Sequence, residues 1–200
     1  MDPAPATDTP ASTDGRRQRS ARSREKIIRA MWDLMLDGDM EPSAADIAEA
    51  AGVGLRSVFR HFEDIDTLYR ELLLVAEGDV MPELMRGLAG HTWQERMLNH
   101  ADRVVDVWDR ILVPHTAGEI RRFKSDVLMD DYKRARLKEL AGVKAILPND
   151  VPDYDLVLLA LDNALSFATV RRLRQDRGLS VKKTKAALRF MVQAAIDQSA

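Results

Sequence analysis

The sequence predicts an all-α fold: an N-terminal three-helix helix-turn-helix domain followed by a larger C-terminal helical domain. Three observations lead there. Leu, Ala, Met, Arg, Lys, Glu and Asp dominate the composition, and alternating runs of Val, Ile and Thr are missing. Apolar residues recur at helical spacing from near Ser20 onward. Caps and glycine stops then cut that pattern into helix-sized pieces.

Residues 1–18 hold many Pro, Ala, Ser, Thr and Asp residues and no large apolar residue after Met1, so they read as a disordered tail. The expected helix-turn-helix domain covers 19–66 and the C-terminal domain 67–200. In the first helix Ile27, Ile28, Met31, Leu34 and Met35 share a face, widened by Trp32, and Gly38 ends it. Ser43 is the expected cap of a second, short helix, with Asp46 three residues on able to reach back. Ala44, Ile47, Ala48 and Ala51 give that helix a narrow face that lets a neighbour come close. Gly52 supplies the turn, and Val53 fills the angle between helices. The third helix is GLRSVFRHF, residues 54–62. Its wheel puts Leu55, Val58, Phe59 and Phe62 on an anchoring face, and Arg56, Ser57, Arg60 and His61 on the other. Helix, short helix, glycine turn, short helix is helix-turn-helix spacing.

A fourth helix runs to Gly78 on Ile65, Leu68, Leu72 and Val75, with Glu63, Asp64 and Asp66 suiting its positive end. Thr92 and Glu95 form a capping box that opens a helix through residue 113. Residues 119–147 read as one long helix or two abutting ones, stopped by Pro148. The next begins at an Asp153 cap and ends at Gly178, and the last starts at a Ser180 cap. Residues 156–170 are apolar on nearly all sides. The final helix offers Ala187, Phe190, Met191, Ala194 and Ala195 as a second apolar face, and together these predict a homodimer through the last two helices.

The net charge of −2 rules out a chain that is basic all over, but not a local basic patch. Residues 15–29 carry Arg16, Arg17, Arg19, Arg22, Arg24, Lys26 and Arg29 against Glu25 alone. Cysteine is absent, which removes disulfides and thiolate metal sites and suits a reducing cytoplasm. No apolar run reaches the ~18 residues of a membrane span, and the N-terminus has no apolar signal core, so no membrane partner is expected.

Residues 43–73, SAADIAEAAGVGLRSVFRHFEDIDTLYRELL, resemble the helix-turn-helix signature of the TetR (tetracycline-repressor) family of bacterial transcriptional regulators. The family pattern is roughly T-x-x-D-I-A-x-x-A-G-V-S, a short gap, L-Y-x-H-F, then K-x-x-L. DIAEAAGV, VFRHF and Leu68 stand at the matching places. Three positions depart from it. Phe59 replaces a tyrosine whose hydroxyl commonly meets a DNA phosphate, Gly54 replaces a Ser or Thr cap, and Ile65 replaces a phosphate-contacting lysine. Beyond this segment the resemblance covers helicity, length and a stretch like the family's penultimate helix, SFATVRRLRQDRGLS.

The resemblance implies a DNA-binding regulator, by family habit a repressor, that reads a palindromic DNA operator as a homodimer and is released by a small-molecule effector in the C-terminal domain. Arg56 and Arg60, one turn apart, suit bidentate bonds to guanine. Ser57 reaches base or phosphate; His61 and Ser43 meet phosphate; Arg22 and Arg24 lie along the backbone or in a minor groove. For the effector pocket the candidates are Trp93, Met97, His100, Val104 and Trp108, which share a face, with Phe123, Asn163 and Phe167 from other helices; plain core packing is the competing reading of each.

Two other classes compete. A helical di-iron enzyme needs Glu-x-x-His pairs, and His61, His91, His100 and His115 all lack a Glu three residues earlier. P-loop and GxSxG motifs are also missing, so neither enzyme activity nor a cofactor or metal is expected. A helical small-molecule-binding or interaction protein with weak or no DNA binding stays open, because three phosphate contacts are lost.

Overall fold

The computed structural model describes residues 11–84 and 86–198, all of whose regular structure is helical. The order is α1 (Ala11–Leu36), α2 (Ala44–Ala50), α3 (Leu55–His61), α4 (Ile65–Leu84), α5 (Trp93–Arg110), α6 (Leu112–Arg121), α7 (Asp126–Lys144), α8 (Tyr154–Leu165), α9 (Phe167–Arg171) and α10 (Val181–Asp197). A 3-10 turn at Arg122–Lys124 precedes α7, and a π-helical turn at Arg172–Asp176 follows α9. The chain divides into two compact units at Leu72/Leu73, inside α4. Among the described residues no helix is long and apolar enough to cross a membrane.

The first unit is built on α1, α2 and α3. Ile27, Met31, Met35, Ile47, Val58, Phe62, Leu68, Tyr69 and Leu72 are buried in it. Ser43 caps α2 in both directions: its hydroxyl accepts from the Asp46 N–H, and the Asp46 carboxylate accepts from the Ser43 N–H. Gly52, at φ 64°, takes the left-handed conformation that turns the chain from α2 toward α3. The Tyr69 hydroxyl donates to the Met40 carbonyl at 3.2 Å, fixing the loop before α2.

Two expectations change here. α1 begins at Ala11, inside the segment read as a disordered tail; residues 1–10 of that tail lie outside the described residues. The compositional argument weighed only burial, whereas a helix already nucleated on the Ile27/Met31 face extends by one hydrogen bond per residue without burying anything. On α3 the anchoring face is narrower than the wheel implied. Val58 and Phe62 are buried, but Leu55 and Phe59 are 46% and 50% exposed. A seven-residue helix is under two turns long, so its contact with α1 and α2 covers only its central residues.

In the second unit α5 lies against α9 and α10, α8 against α7 and α10, and α6 against α7. Met97, Ala101, Val105, Leu161, Val170, Leu188 and Val192 fill its interior. Asp102, Asp106 and Asp109 line one face of α5. They receive Arg189 at 2.9 Å, Lys185 at 2.6 Å and Arg174 at 2.5 Å, a ladder that sets the register of α5 against α10 and the π turn. These pairs are partly solvated, so each contributes at most about 1 kcal/mol.

Helix ends differ from the sequence reading at several places. α4 continues through Gly78 to Leu84, because Ala76 and Val80 extend its buried face; Pro82 in its last turns leaves the Gly78 carbonyl without its intrahelical donor. The helix expected through residue 113 breaks at Ile111, and Pro114 sits in the first turn of α6, where a missing N–H costs nothing. Residues 119–147 take the two-helix alternative, holding the end of α6 and all of α7, with Ser125 capping α7. The helix expected to run from Asp153 to Gly178 breaks at Ser166, whose extended backbone and hydroxyl cap α9. Asp153 itself has φ 50° and makes no side-chain cap bond, since the left-handed backbone holds its carboxylate off the free amides. The Ser180 cap holds, its hydroxyl accepting from the Lys183 N–H. At Thr92 the hydroxyl accepts from the Glu95 N–H, while the Glu95 carboxylate accepts one residue further back, from the His91 N–H at 2.7 Å.

Candidate nucleic-acid interface and ligand cavity

The α2–turn–α3 segment presents α3 with its polar residues outward. Arg56 and Arg60 are exposed and Ser57 and His61 half-buried, and no acid lies on this helix. Arg60 Nη2 donates to Ser57 Oγ at 3.4 Å, a contact that a base or phosphate can replace. His61 Nε2 has no partner. Burial pushes its imidazole below the usual value, and the neighbouring Arg60 and Arg24 push the same way, so it is neutral near pH 7. A phosphate brought against it reverses that effect.

Arg22 is exposed on α1. With Arg19, Lys26 and Arg29 it forms a stripe at i, i+3, i+7 and i+10, so the basic segment is one helical face rather than a loose arm. Arg24 is placed otherwise. It pairs with Glu71 at 2.8 Å, and its guanidinium lies over the Phe62 ring, 5.1 Å from the centroid. That arrangement ties α1 to the C-terminal end of α3. Ser43 is exposed, but its hydroxyl donates to the Asp46 carboxylate, so a phosphate must displace that bond to reach it.

The second unit contains a cavity of about 640 Å³ between α4, α5, α6, α7 and α8. Its walls are largely apolar, from Val80, Met81, Leu84, Val104, Val143, Ile146 and Leu165, with His100, Trp108, His115, the acids Glu77, Glu139 and Asp162 and the bases Arg86, Arg96 and Lys138 among them. Of the eight residues expected at a pocket, His100, Val104 and Trp108 line it. Phe167 lies behind the lining, its ring 5.5 Å from Trp108 and 4.4 Å from His115, and holds both rings in place. Met97 is fully buried elsewhere on α5. Trp93 lies by Pro148 and Ile196. Phe123 is 73% exposed under Arg122, and Asn163 is exposed, its carbonyl accepting from Ser166 and Thr169.

The acidic lining was not legible in the sequence. Glu77 is held below the usual carboxylate range chiefly by His115, whose Nε2 stands 3.7 Å away, against the opposing effect of burial. Burial pushes Glu139 up, against the pull of Arg136, which bridges Glu139 and Asp162. Burial, with Arg103, drops His100 to about 4, so its ring is neutral. Gly142 on α7 faces this ring: a Cβ there would sit in ordinary contact, 3.8 Å from His100 Nε2.

No family model matches the chain, and no curated protein matches it. Solved structures do. A transcriptional regulator from Rhodococcus sp. RHA1 superposes with a TM-score of 0.70 at 16% identity, over 88% of this chain and 97% of that one. A TetR-like transcriptional regulator from the same organism gives 0.69 at 14%, over 88% and 96%. A TetR-family transcriptional regulator from Streptomyces coelicolor gives 0.64 at 20%, over 88% and 83%. At such identities the likeness reports architecture, and the architecture is clear: the chain has the all-α fold of the TetR-family transcriptional regulators.

Proposed function

We propose that the chain is a DNA-binding transcriptional regulator that reads a palindromic operator as a homodimer and is released by a small molecule bound in its second unit. The observation that carries this reading is α3. It is a short helix set after a glycine turn, with exposed Arg56 and Arg60, Ser57 and His61 beside them, and no acid. Arg56 and Arg60 read base edges; Ser57, His61, Ser43 and Arg22 contact the backbone, with the α1 stripe adding charge. Arg24 acts by positioning α3 through Phe62 and Glu71.

The homodimer reading is supported by apolar surface that one chain leaves open. Leu156 and Leu159 on α8 and Phe190 on α10 are each more than 60% exposed, on two helices that touch. Joining them to a second copy makes a four-helix contact. The effector reading is supported by the cavity, and coupling requires that the ligand favour one spacing of the two DNA-binding units over another. This work takes place in the cytoplasm, where the DNA is, and by the habit of the fold it is repression.

The test is a mobility shift of the purified protein on the DNA upstream of its own gene and on a random pool, from low to moderate salt. A salt-dependent shift is expected. No shift on either DNA at low salt refutes the regulator reading, and a monomer by light scattering at micromolar concentration refutes the dimer.

A further inference from the structure

The charges lining the cavity in the second unit are sorted by position along it. One group surrounds Trp108, near the C-terminal end of α5. The Trp108 ring stands 5.5 Å from that of His115, and His115 Nε2 stands 3.7 Å from Glu77. Phe167, also against Trp108, donates its N–H to Glu139 at 3.4 Å. Arg136 answers Glu139 and Asp162 together, while Glu77 is held down first by His115 and, more weakly, by Lys138. All three acids of the lining lie at this end, each with a basic neighbour.

The other end carries Arg86 and Arg96. Arg96 is in the first turn of α5, twelve residues before Trp108 and about 18 Å from it along the helix. Residues 86–90 lie along the first three turns of α5. Arg103 donates to the Arg86 and Gly87 carbonyls, Asn99 donates to the Ala89 carbonyl at 2.7 Å, and a Cβ on Gly90 would fall 3.0 Å from the Arg96 nitrogen. Arg86 is thereby brought to the Arg96 end, and Arg103 adds a third guanidinium whose bonds go to neutral carbonyls. Among the described residues neither Arg86 nor Arg96 has an ion-pair partner. The acids near them in sequence are engaged elsewhere: Glu83 with Arg110, Glu95 with the His91 N–H and Asp102 with Arg189. Arg86 is exposed and Arg96 half-buried, so this end is open to an incoming molecule. Val104 lies between the two ends on α5, and Val143, Ile146 and Leu165 add apolar wall.

Guanidinium groups offer paired donors that fit a carboxylate, and an anion between two of them relieves their mutual repulsion. At the Trp108 end a cation would have to take a carboxylate from a base it already has. We propose that the cavity binds an amphipathic organic acid, its carboxylate held at the open end by Arg86 and Arg96 and its apolar body laid along Val104 toward Trp108. The head group stays partly solvated, so no charge has to be buried among apolar walls. The proposal rests on the reading of the second unit as the effector domain and makes no use of DNA binding.

The test is isothermal titration of the full-length protein, without DNA, with decanoate, decanol and decylammonium, which share one chain length and differ in head group. Decanoate is expected to bind about tenfold tighter than decanol, and decylammonium more weakly than either. Arg96→Gln and Arg86→Gln keep the aliphatic stem and remove the charge. Each should weaken decanoate by roughly threefold to tenfold and leave decanol unchanged. Arg177→Gln, which removes an exposed charge outside the cavity, should change neither. Added salt should weaken decanoate and spare decanol. Tightest binding of decanol or decylammonium overturns the proposal, as does no binding by any probe. Unchanged decanoate affinity in the folded double variant overturns it too, as does an equal loss for decanol, which would make the arginines mere wall. A mobility shift on the same preparation separates the two readings: a DNA shift without the preference for decanoate defeats this inference alone, and that preference without a DNA shift defeats the regulator reading alone.

Discussion

The two units differ in where their working residues lie along the chain. In the first, the candidate site is six consecutive residues of one short helix, Arg56–His61, and a cap and a turn a few residues upstream set its position. In the second, the cavity takes lining residues from five helices, and Glu77 and Asp162 are 85 positions apart in sequence. A local site is written in local signals. A site assembled from distant helices is written in their packing, which periodicity does not encode.

That contrast explains what was legible. The Ser43 cap, the Gly52 turn and the outward arginines of α3 follow from residue type and spacing alone. The apolar side of α3 was over-read, because a wheel treats Leu55 and Phe59 as equal to Val58 and Phe62 and ignores how little of a two-turn helix its neighbours reach. Arg24 looked like part of a basic arm; its pairing with Glu71 joins positions 47 residues apart and has no sequence signal. In the second unit the faces of α5 and α10 were visible, but not the breaks at Ile111 and Ser166 that turn α6 and α9. Those breaks bring His115 and Phe167 against Trp108. Periodicity found His100, Val104 and Trp108, three of the four α5 residues that line the cavity, and missed Arg96 and those supplied by other helices.

The largest expected effect tests whether the first unit depends on its few buried anchors. Phe62 is 1% exposed and carries both the core of α3 and the stack with Arg24. Phe62→Ala should cost about 3–5 kcal/mol by denaturant melting, and Phe59→Ala well under half of that. Equal losses would restore the broad anchoring face.

The next effect belongs to the second unit. His100 titrates at about 4 in the folded chain against 6.5 when exposed. Its folded-state value is depressed, so the unfolded chain binds the proton more readily. The stability this neutral ring allows is present above about pH 6.5 and is lost as pH falls toward 4, by about 3 kcal/mol. Stability curves at pH 7 and pH 4.5 should converge in His100→Gln relative to wild type; an unchanged acid loss would place the sensitivity elsewhere.

A smaller effect tests the turn. Gly52 has φ 64° and open space at its missing Cβ, so Gly52→Ala pays only for the left-handed backbone, roughly 1–2 kcal/mol. A neutral substitution would show that the turn relaxes freely and that α3 is not rigidly set by it.

The central claim is that α3 reads bases while α1 supplies charge. Selection of bound sequences from random DNA, run in parallel on wild type, Arg60→Ala and a chain lacking residues 1–22, which keeps Arg24 on Phe62 and Glu71, tests it most directly. Wild type should select a palindrome. Arg60→Ala should lose preference at one base pair in each half-site, worth about 1–3 kcal/mol, and keep the others. The truncated chain should keep the palindrome and bind every sequence more weakly, with a flatter salt dependence. If Arg60→Ala instead weakened all sequences equally and left the selected palindrome unchanged, Arg60 would be a backbone contact and α3 would not read through it.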